Sequence, residues 1–334
     1  MKKFIKSFIP PITVYLSLLL IGYIFEISAN AYIQLTLIYI CINSIMAMSL
    51  NLVNGYTGQF SLGHAGFMAI GAYTSAYLSF NWIPTSIATI NLIIYALTGG
   101  LLSAFAGLIV GLPSLRLKGD YLAIVTLGFG EIIRVILLNF EQVGGARGLY
   151  GIPGYFDIHR FNLQISRFYS AYILASFWVV ATFFIIWRLI RSSYGRVFLS
   201  VKEDEIAAQA MGIDTTLAKV RAFILSSFFA GIAGSLFAHY TNYLNPSSFG
   251  FLKSIDAVIM VVLGGMGSLT GSVIAAAIVT ILPEALRPLK DLTGVDLRMV
   301  IYSLALIVVM IMRPQGLFGH TEIIDLLKKR STLI

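Results

Sequence analysis

Few side chains in this sequence are of types that do chemistry, and their spacing removes most of what chemistry they could do. The four histidines, His64, His159, His239 and His320, stand far apart with no metal-ligand spacing. The single cysteine, Cys41, lies in an apolar run and forms no intrachain disulfide. HExxH, GxSxG and the GxxxxGK(S/T) nucleotide loop are all absent. What remains is the chemistry of holding polar groups in an apolar setting. Asn51, Asn54, Gln59, Ser61 and His64 are interleaved with Gly55, Gly58, Gly63, Gly66 and Gly71. An unpaired amide in hydrocarbon costs several kcal/mol, so these groups face protein or a water-filled path. Small-residue helix packing accounts for most of the glycines; for Asn51, Asn54 and Gln59 a path-lining role stands beside it. Glu131 and Arg134 are spaced i,i+3 in another apolar run. A mutual ion pair there lowers the cost of burying both, and snorkelling at a span end is the other reading.

The densest charge lies from Arg188 to Arg221. Ser200 followed by Glu203 has the form of a capping box, so the pattern predicts a helix from about Val201, stopped by Gly212, with Asp214 capping the next. Such a helix sets Ile206, Ala210 and Ile213 on one face and Glu203, Asp204 and Gln209 off it. It is too polar for lipid and too short to stand alone in water. Either it has a partner or it is a solvated connecting loop.

The elements that must position these residues follow from composition. Of 334 residues 58% are hydrophobic and 11% charged, and the mean hydropathy is +0.87. No water-soluble domain could cover that much apolar surface. The reading is an all-α polytopic membrane protein, a single transmembrane domain over 1–334 with eight to ten helical spans, about ten being preferred, at roughly 20 residues each. The net charge of +8 comes from bases set singly at span ends, as positive-inside topology requires, and not from a stripe that would bind nucleic acid.

Lys2, Lys3 and Lys6 precede the run Ile12–Phe25. Ala29-Asn30-Ala31 resembles a signal-peptidase site, but a retained first span is preferred. Further spans are expected near 32–53, through the glycine-rich stretch after Asn51, at 87–112, 121–140, 169–190, 222–243 and 297–312. Arg116 and Lys118 mark a cytoplasmic turn, 141–168 an external loop containing Arg147, Arg160 and Arg167, and 188–221 a cytoplasmic loop. The stretch 254–282 is interrupted by GGMGSLTG from Gly264 to Gly271. Read as two short or re-entrant spans, it leaves Lys328, Lys329 and Arg330, like the N-terminus, on the cytoplasmic side. Glycine-interrupted segments point to a transport site, which makes Gly264, Gly265 and Gly267 candidates for the path. Asp256 reads as an interfacial cap or a pathway acid, the cap being preferred. Gly55-Tyr-Thr-Gly58 and Gly265-Met-Gly-Ser268 echo one another, each opening a small-residue helix.

With these motifs in place, the chain resembles the LivM-type permease subunits of bacterial ABC importers for branched-chain amino acids. The blocks that carry the resemblance are LNLVNGYTGQFSLGHAGFMAIGAYTSAYL, LRLKGDYLAIVTLGFGEIIRV, SSYGRVFLSVKEDEIAAQAMGI, VVLGGMGSLTG and RPQGLFG, in the family's order. It implies the ABC importer permease fold and a multi-pass place in the bacterial cytoplasmic (inner) membrane, with both termini inside. It also implies a transport subunit, not an enzyme. The cofactors ATP and Mg would be used by two separate ATPase subunits, with none bound by this chain. The other implied partners are a second permease (LivH-type or a second copy), a soluble binding protein at the outer face, and membrane lipid. The family's segment that couples to the ATPase falls on Glu203, Asp204, Glu205, Ile206, Ala207, Ala208, Ala210, Met211 and Gly212. Where ABC permeases carry Glu-Ala-Ala, three residues and Gly, Ile206 here takes the Glu place and the acid stands one residue earlier. The external loop departs too, reading Val143-Gly144-Gly145-Ala146-Arg147-Gly148-Leu149. The path would be lined by Asn51, Asn54, Gln59, Ser61, His64 and Glu131 with Gly264, Gly265 and Gly267. Related urea and short-amide permeases share much of the pattern. A secondary transporter would use Glu131 as its ion site, and a channel would use Gly264–Gly267 as a filter.

Overall fold

Apolar runs shut away from water can satisfy every backbone group only as helices, and the chain takes that solution almost throughout. The computed structural model describes residues 2–82, 88–114, 119–154, 158–160 and 163–286, with 303–304, 307–308, 311–313, 315–319 and 322 near the C-terminus. Arg116, Lys118, most of the expected span at 297–312, His320 and the basic residues 328–330 lie outside the described residues.

The order is α1 (Lys2–Ser28), α2 (Ala31–Asn51) continued by a π-turn (Leu52–Tyr56), α3 (His64–Asn81), α4 (Ala88–Ser114) and α5 (Asp120–Asn139). Three short strands follow, β1 (Leu149–Tyr150), β2 (Ile158–Arg160) and β3 (Leu163–Ile165), and then α6 (Arg167–Ile190), α7 (Ser193–Glu203), α8 (Glu205–Ala210) and α9 (Thr215–Thr241). The strand β4 (Tyr243–Leu244) leads into α10 (Phe251–Gly264) and α11 (Leu269–Ala285). Among the described residues seven helical segments are long and apolar enough to cross a membrane. α3 and α11 are not among them, yet both pack along the others. α3 is surrounded by α4, α5 and α9 with most of its residues buried, so small and polar residues serve it where lipid would demand leucine. The result is an all-α polytopic bundle. The interrupted stretch is two short helices side by side, with the backbone of Gly264 closely facing that of Gly271.

The helices α3, α4 and α9 meet through glycine. A Cβ on Gly231 of α9 would lie 2.5 Å from Ser103 Cβ and 2.8 Å from Gly99 O of α4, and a Cβ on Gly71 of α3 would meet the Gly231 backbone. Ser103 Oγ donates to Phe67 O at 3.0 Å and Ser227 O at 2.7 Å, tying the three helices at the same level. Around this seam lies the main core, including Phe67, Phe223 and Phe229, while α2, α10 and α11 form a second cluster about Leu50, Met260 and Val261.

The two ends of the bundle differ. One carries the described residues of 141–166, where β1 pairs antiparallel with β4 (Leu149 opposite Leu244) and β2 with β3. Asn242, in the left-handed region at φ 58°, holds this end with its side chain donating to Ile152 O at 2.6 Å. The other end carries the π-turn, α7, α8 and residues 315–319 and 322. There the Glu322 carboxylate accepts from Leu269 N (2.7 Å), Thr270 N (3.1 Å), Thr270 Oγ1 (2.7 Å) and Tyr56 OH (3.2 Å). α1 lies antiparallel to α6, with Tyr23 against Tyr169, Gly22 under Tyr172 and Tyr15 against Phe177. Its N-terminal start therefore points to the same end as α7 and α8.

Two expectations are corrected. No single helix runs from Val201 to Gly212, and the Ser200–Glu203 capping box does not form. Ser200 lies inside α7 and donates to Val197 O at 2.8 Å. Asp204, extended at φ −155° and ψ 107°, ends α7 and caps α8, accepting from Ile206 N at 2.8 Å and Ala207 N at 3.0 Å. The Ser200 hydroxyl is spent inside α7, whereas Asp204 takes two of the free N–H groups that open α8, so the chain breaks there. Asp256 is no cap either: α10 begins at Phe251, and Asp256 stands a turn and a half inside it.

Candidate functional site

Two places on this scaffold collect the residues singled out above. The first is the turn from α7 through α8 to α9. α8 ends in a Schellman motif, with Ile213 N donating to Ala208 O (3.1 Å) and Gly212 N to Gln209 O (2.9 Å). Gly212 sits at φ +81°, in open space, so glycine is required there by the backbone alone. Asp214 caps α9 as expected, accepting from Leu217 N at 2.8 Å. Glu205 turns inward: its Oε1 pairs with Lys219 Nζ at 2.6 Å and accepts from Thr215 Oγ1 at 3.3 Å, and Lys219 is only 2% exposed. Ala208 is buried beneath. Ile206 and Met211 stand out at 71% and 82% exposed, with Ala207, Ala210 and Glu203 exposed beside them. Asp204 and Glu205 are thus committed to building the turn, and an apolar knob is what it presents. Behind it the half-buried Lys202 packs against Gly58, and burial lowers its ammonium from the usual value against the opposing pull of Glu203.

The second is the polar set of α2 to α3 and the glycine turn between α10 and α11. Asn51 is fully buried. Its Nδ2 donates to Ser268 O (2.9 Å) and Ser272 Oγ (2.7 Å) and approaches Gly265 O (3.4 Å), while its Oδ1 accepts from Gly267 N (2.9 Å). Gly265 and Gly267, at φ +113° and +106°, give the turn its shape, and a Cβ on Gly55 would lie 2.6 Å from Gly267 N. The two echoing motifs therefore meet in space. Asn54 Oδ1 accepts from Ser61 N at 3.2 Å, and Gln59, half-buried, is held by its backbone to Val53 O at 3.1 Å. His64 Nε2 meets Ser49 Oγ at 2.7 Å; since Ser49 donates to Met46 O, the imidazole is the donor. Ser61 Oγ is buried with no partner among the described residues. Gly264 and these polar groups, Gln59 apart, face protein in this conformation.

Asn51→Leu should orphan the buried Gly267 N–H, at about 1–3 kcal/mol, and remove the amide bonds to Ser268 O and Ser272 Oγ, although Ser268 O keeps its bonds from Ser272. The expected result is a thermal midpoint of the purified protein several degrees lower, with Asn51→Asp, which keeps the acceptor, in between. An unchanged midpoint for Asn51→Leu would remove the clamp from this account.

Glu131 belongs to neither place. The i,i+3 pair forms, Arg134 Nε to Glu131 Oε2 at 2.7 Å, and Oε1 accepts from Phe251 N at 3.2 Å, so the pair also starts α10. It walls a cavity of about 390 Å³ between α5 and α10.

Comparison with known proteins decides the family. Residues 32–311 match the family described as branched-chain amino acid transport system / permease component. The chain belongs to this permease family. It is 38% identical over 317 residues to the high-affinity branched-chain amino acid transport system permease protein LivM of Salmonella typhimurium (strain LT2), covering 86% of this chain and 69% of that one. The LivM of Escherichia coli (strain K12) matches with the same identity and coverage. The LivH permease protein of Salmonella typhimurium is 26% identical over 289 residues, covering 84% of this chain and 92% of that one. No solved structure matches.

Within the permease, residues that the sequence pattern did not single out hold the candidate sites in place. Lys219 is the buried anchor of α8, Glu322 caps α11, and Ser226 Oγ donates to Ser49 O at 2.6 Å behind His64. Each acts across a long chain separation with no local motif. The one signal a sequence could have offered is the presence of Lys219 in an apolar helix, a charge that must find a partner.

Proposed function

We propose that this permease forms the membrane path of an ATP-driven importer for branched-chain amino acids, working with a second, LivH-type permease or a second copy of itself. Two ATPase subunits dock on the α8 end, and a soluble binding protein delivers substrate to the end built by 141–166 and β4. The observation that carries the reading is the Ile206–Met211 knob. It is an apolar surface of two large side chains on a turn locked by Asp204, the Glu205–Lys219 pair and Gly212. Burying each is worth about 1.5–3 kcal/mol, so a partner whose groove takes both gains several kcal/mol. ATPase closure would push α8 and, through Lys219, the whole of α9, rocking the bundle between its two access states. The α8 end is then cytoplasmic, and so are both termini.

The test is reconstitution with candidate ATPases and binding protein in liposomes. Leucine, isoleucine and valine should accumulate only with ATP and be stopped by vanadate; accumulation driven by an ion gradient without ATP would overturn the reading. Orientation is checked by a cysteine at Ser331, with buried Cys41 contributing little background. It should be labelled by an impermeant maleimide only after cells are opened.

A further inference from the structure

The cavity between α5 and α10 gathers charges of both signs on the side of the bundle away from the α8 turn. Glu131 and Arg134 form one wall, Lys253 and Asp256 the other, with Ser247 and Ser248 at the rim. The Glu131–Arg134 pair is internally satisfied and positions the N-terminus of α10. The other two are not so satisfied. Lys253 Nζ rests on a neutral acceptor, Asn43 Oδ1 at 3.2 Å, and Asn43 is itself held by Thr280 Oγ1 at 2.9 Å. The Asp256 carboxylate accepts no hydrogen bond among the described residues, and although it lies one turn along α10 from Lys253 the two make no direct ion pair. A cation and an anion are therefore presented on one helix face, attracting one another through space but not in contact.

The cavity is open to the outer surface of the chain, and the 76%-exposed Leu252 of α10 is part of its lining. Charged groups cannot face lipid there without a heavy penalty, so the mouth looks onto a water-filled path or another subunit. At about 390 Å³ the space lies in the range of small-molecule pockets, roughly 300–1,000 Å³. A ligand that would complete both charges carries an ammonium and a carboxylate a few ångströms apart. That is an amino acid in its zwitterionic form, whereas a neutral amide or urea would leave Lys253 and Asp256 as they are.

We infer that this cavity is the amino-acid subsite of the permease on its translocation path, with Asp256 taking the α-ammonium and Lys253, beside Arg134, the α-carboxylate. The inference rests on the importer reading above. An apolar side chain would lie toward Phe251 and Leu252, which leaves the selectivity among leucine, isoleucine and valine loose at this point.

The test uses the complete reconstituted transporter, with radiolabelled leucine uptake and binding-protein-stimulated ATP hydrolysis measured together. Asp256→Asn and Lys253→Met should each cut leucine uptake at least tenfold while hydrolysis stays within twofold and the subunits still co-purify. Asp256→Glu should recover a substantial part of the uptake. Unchanged uptake in both neutral variants overturns the subsite. So does loss of hydrolysis together with dissociation of the subunits, which makes the cluster a permease–permease contact. Leucine uptake in the wild type that collapses when a protonophore is added, at constant ATP, also overturns it, because Asp256 is then a proton site. A wild type that imports none of the three branched-chain amino acids defeats the importer reading itself and the subsite with it.

Discussion

Gly231→Val should leave roughly a tenth or less of the normal amount of folded permease in the membrane, while Gly128→Ala should leave it unchanged or slightly raised. At Gly231 the added carbon falls 2.5 Å from Ser103 Cβ, 2.8 Å from Gly99 O and 3.0 Å from Gly100 Cα. Two of those three atoms are backbone and cannot rotate away. Overpacking of a dense core typically costs about 1–3 kcal/mol even where side chains can adjust. Here α4 and α9 must separate, and Ser103 would lose its bonds to Phe67 O and Ser227 O as they do. A tenfold loss needs only about 1.4 kcal/mol. Gly128 is the matched control: it is exposed on α5 and a Cβ there meets nothing within 4 Å, so alanine contributes its helix propensity, about 0.5–1 kcal/mol. Quantitative fluorescence size-exclusion of tagged variants reads both. Normal yield from Gly231→Val would mean that the three-helix seam is looser than its geometry.

How much of this was legible beforehand follows from the range of each interaction. The long spans among the described residues were, because a 20-residue apolar run needs no tertiary information. The split of 254–282 into α10 and α11 was legible too, since the interruption by GGMGSLTG and a parity of charge both point to it. The glycine-dense stretch after Asn51 announced close packing but not its partners: Asn51 reaches residues more than 200 positions away. The break at Asp204 was misread for a local reason. Ser200–Glu203 and Asp204 each satisfy a helix-start pattern within five residues, and the sequence does not say which cap wins. Geometry decides it, because α7 already runs from Ser193 and only Asp204 is free to leave the helix. The family pattern places Glu205 in the coupling segment and leaves its role open. Its turn toward Lys219, fourteen residues on and across a reversal of chain direction, is a tertiary fact.

That inward turn of Glu205 shapes the second large expectation. If acids carried the proposed ATPase contact, neutralising them would uncouple the transporter; with Asp204 and Glu205 spent on the turn, the proposed contact would fall to Ile206, Ala207, Ala210 and Met211. Ile206→Asp should therefore lower ATP-dependent uptake and substrate-stimulated hydrolysis about thirtyfold, taking about 2 kcal/mol for loss of an interface anchor, with assembly in the membrane unchanged. Ala207→Trp, exposed beside Ile206, should act likewise by overfilling the partner's groove. Gly212→Val should be as damaging for a different reason: at φ +81° a β-branched residue is strained, the Schellman turn opens, and Met211 is aimed elsewhere. Arg196→Gln, exposed on α7 at the same end, should change either rate by less than twofold. Uptake and hydrolysis are to be measured in one reconstituted preparation, with binding-protein docking at the far end followed separately. Docking should survive in every variant, since 141–166 and β4 are built without α8. Wild-type coupling in both Ile206→Asp and Ala207→Trp, at normal expression, would return the α7–α9 turn to a plain connection between two spans.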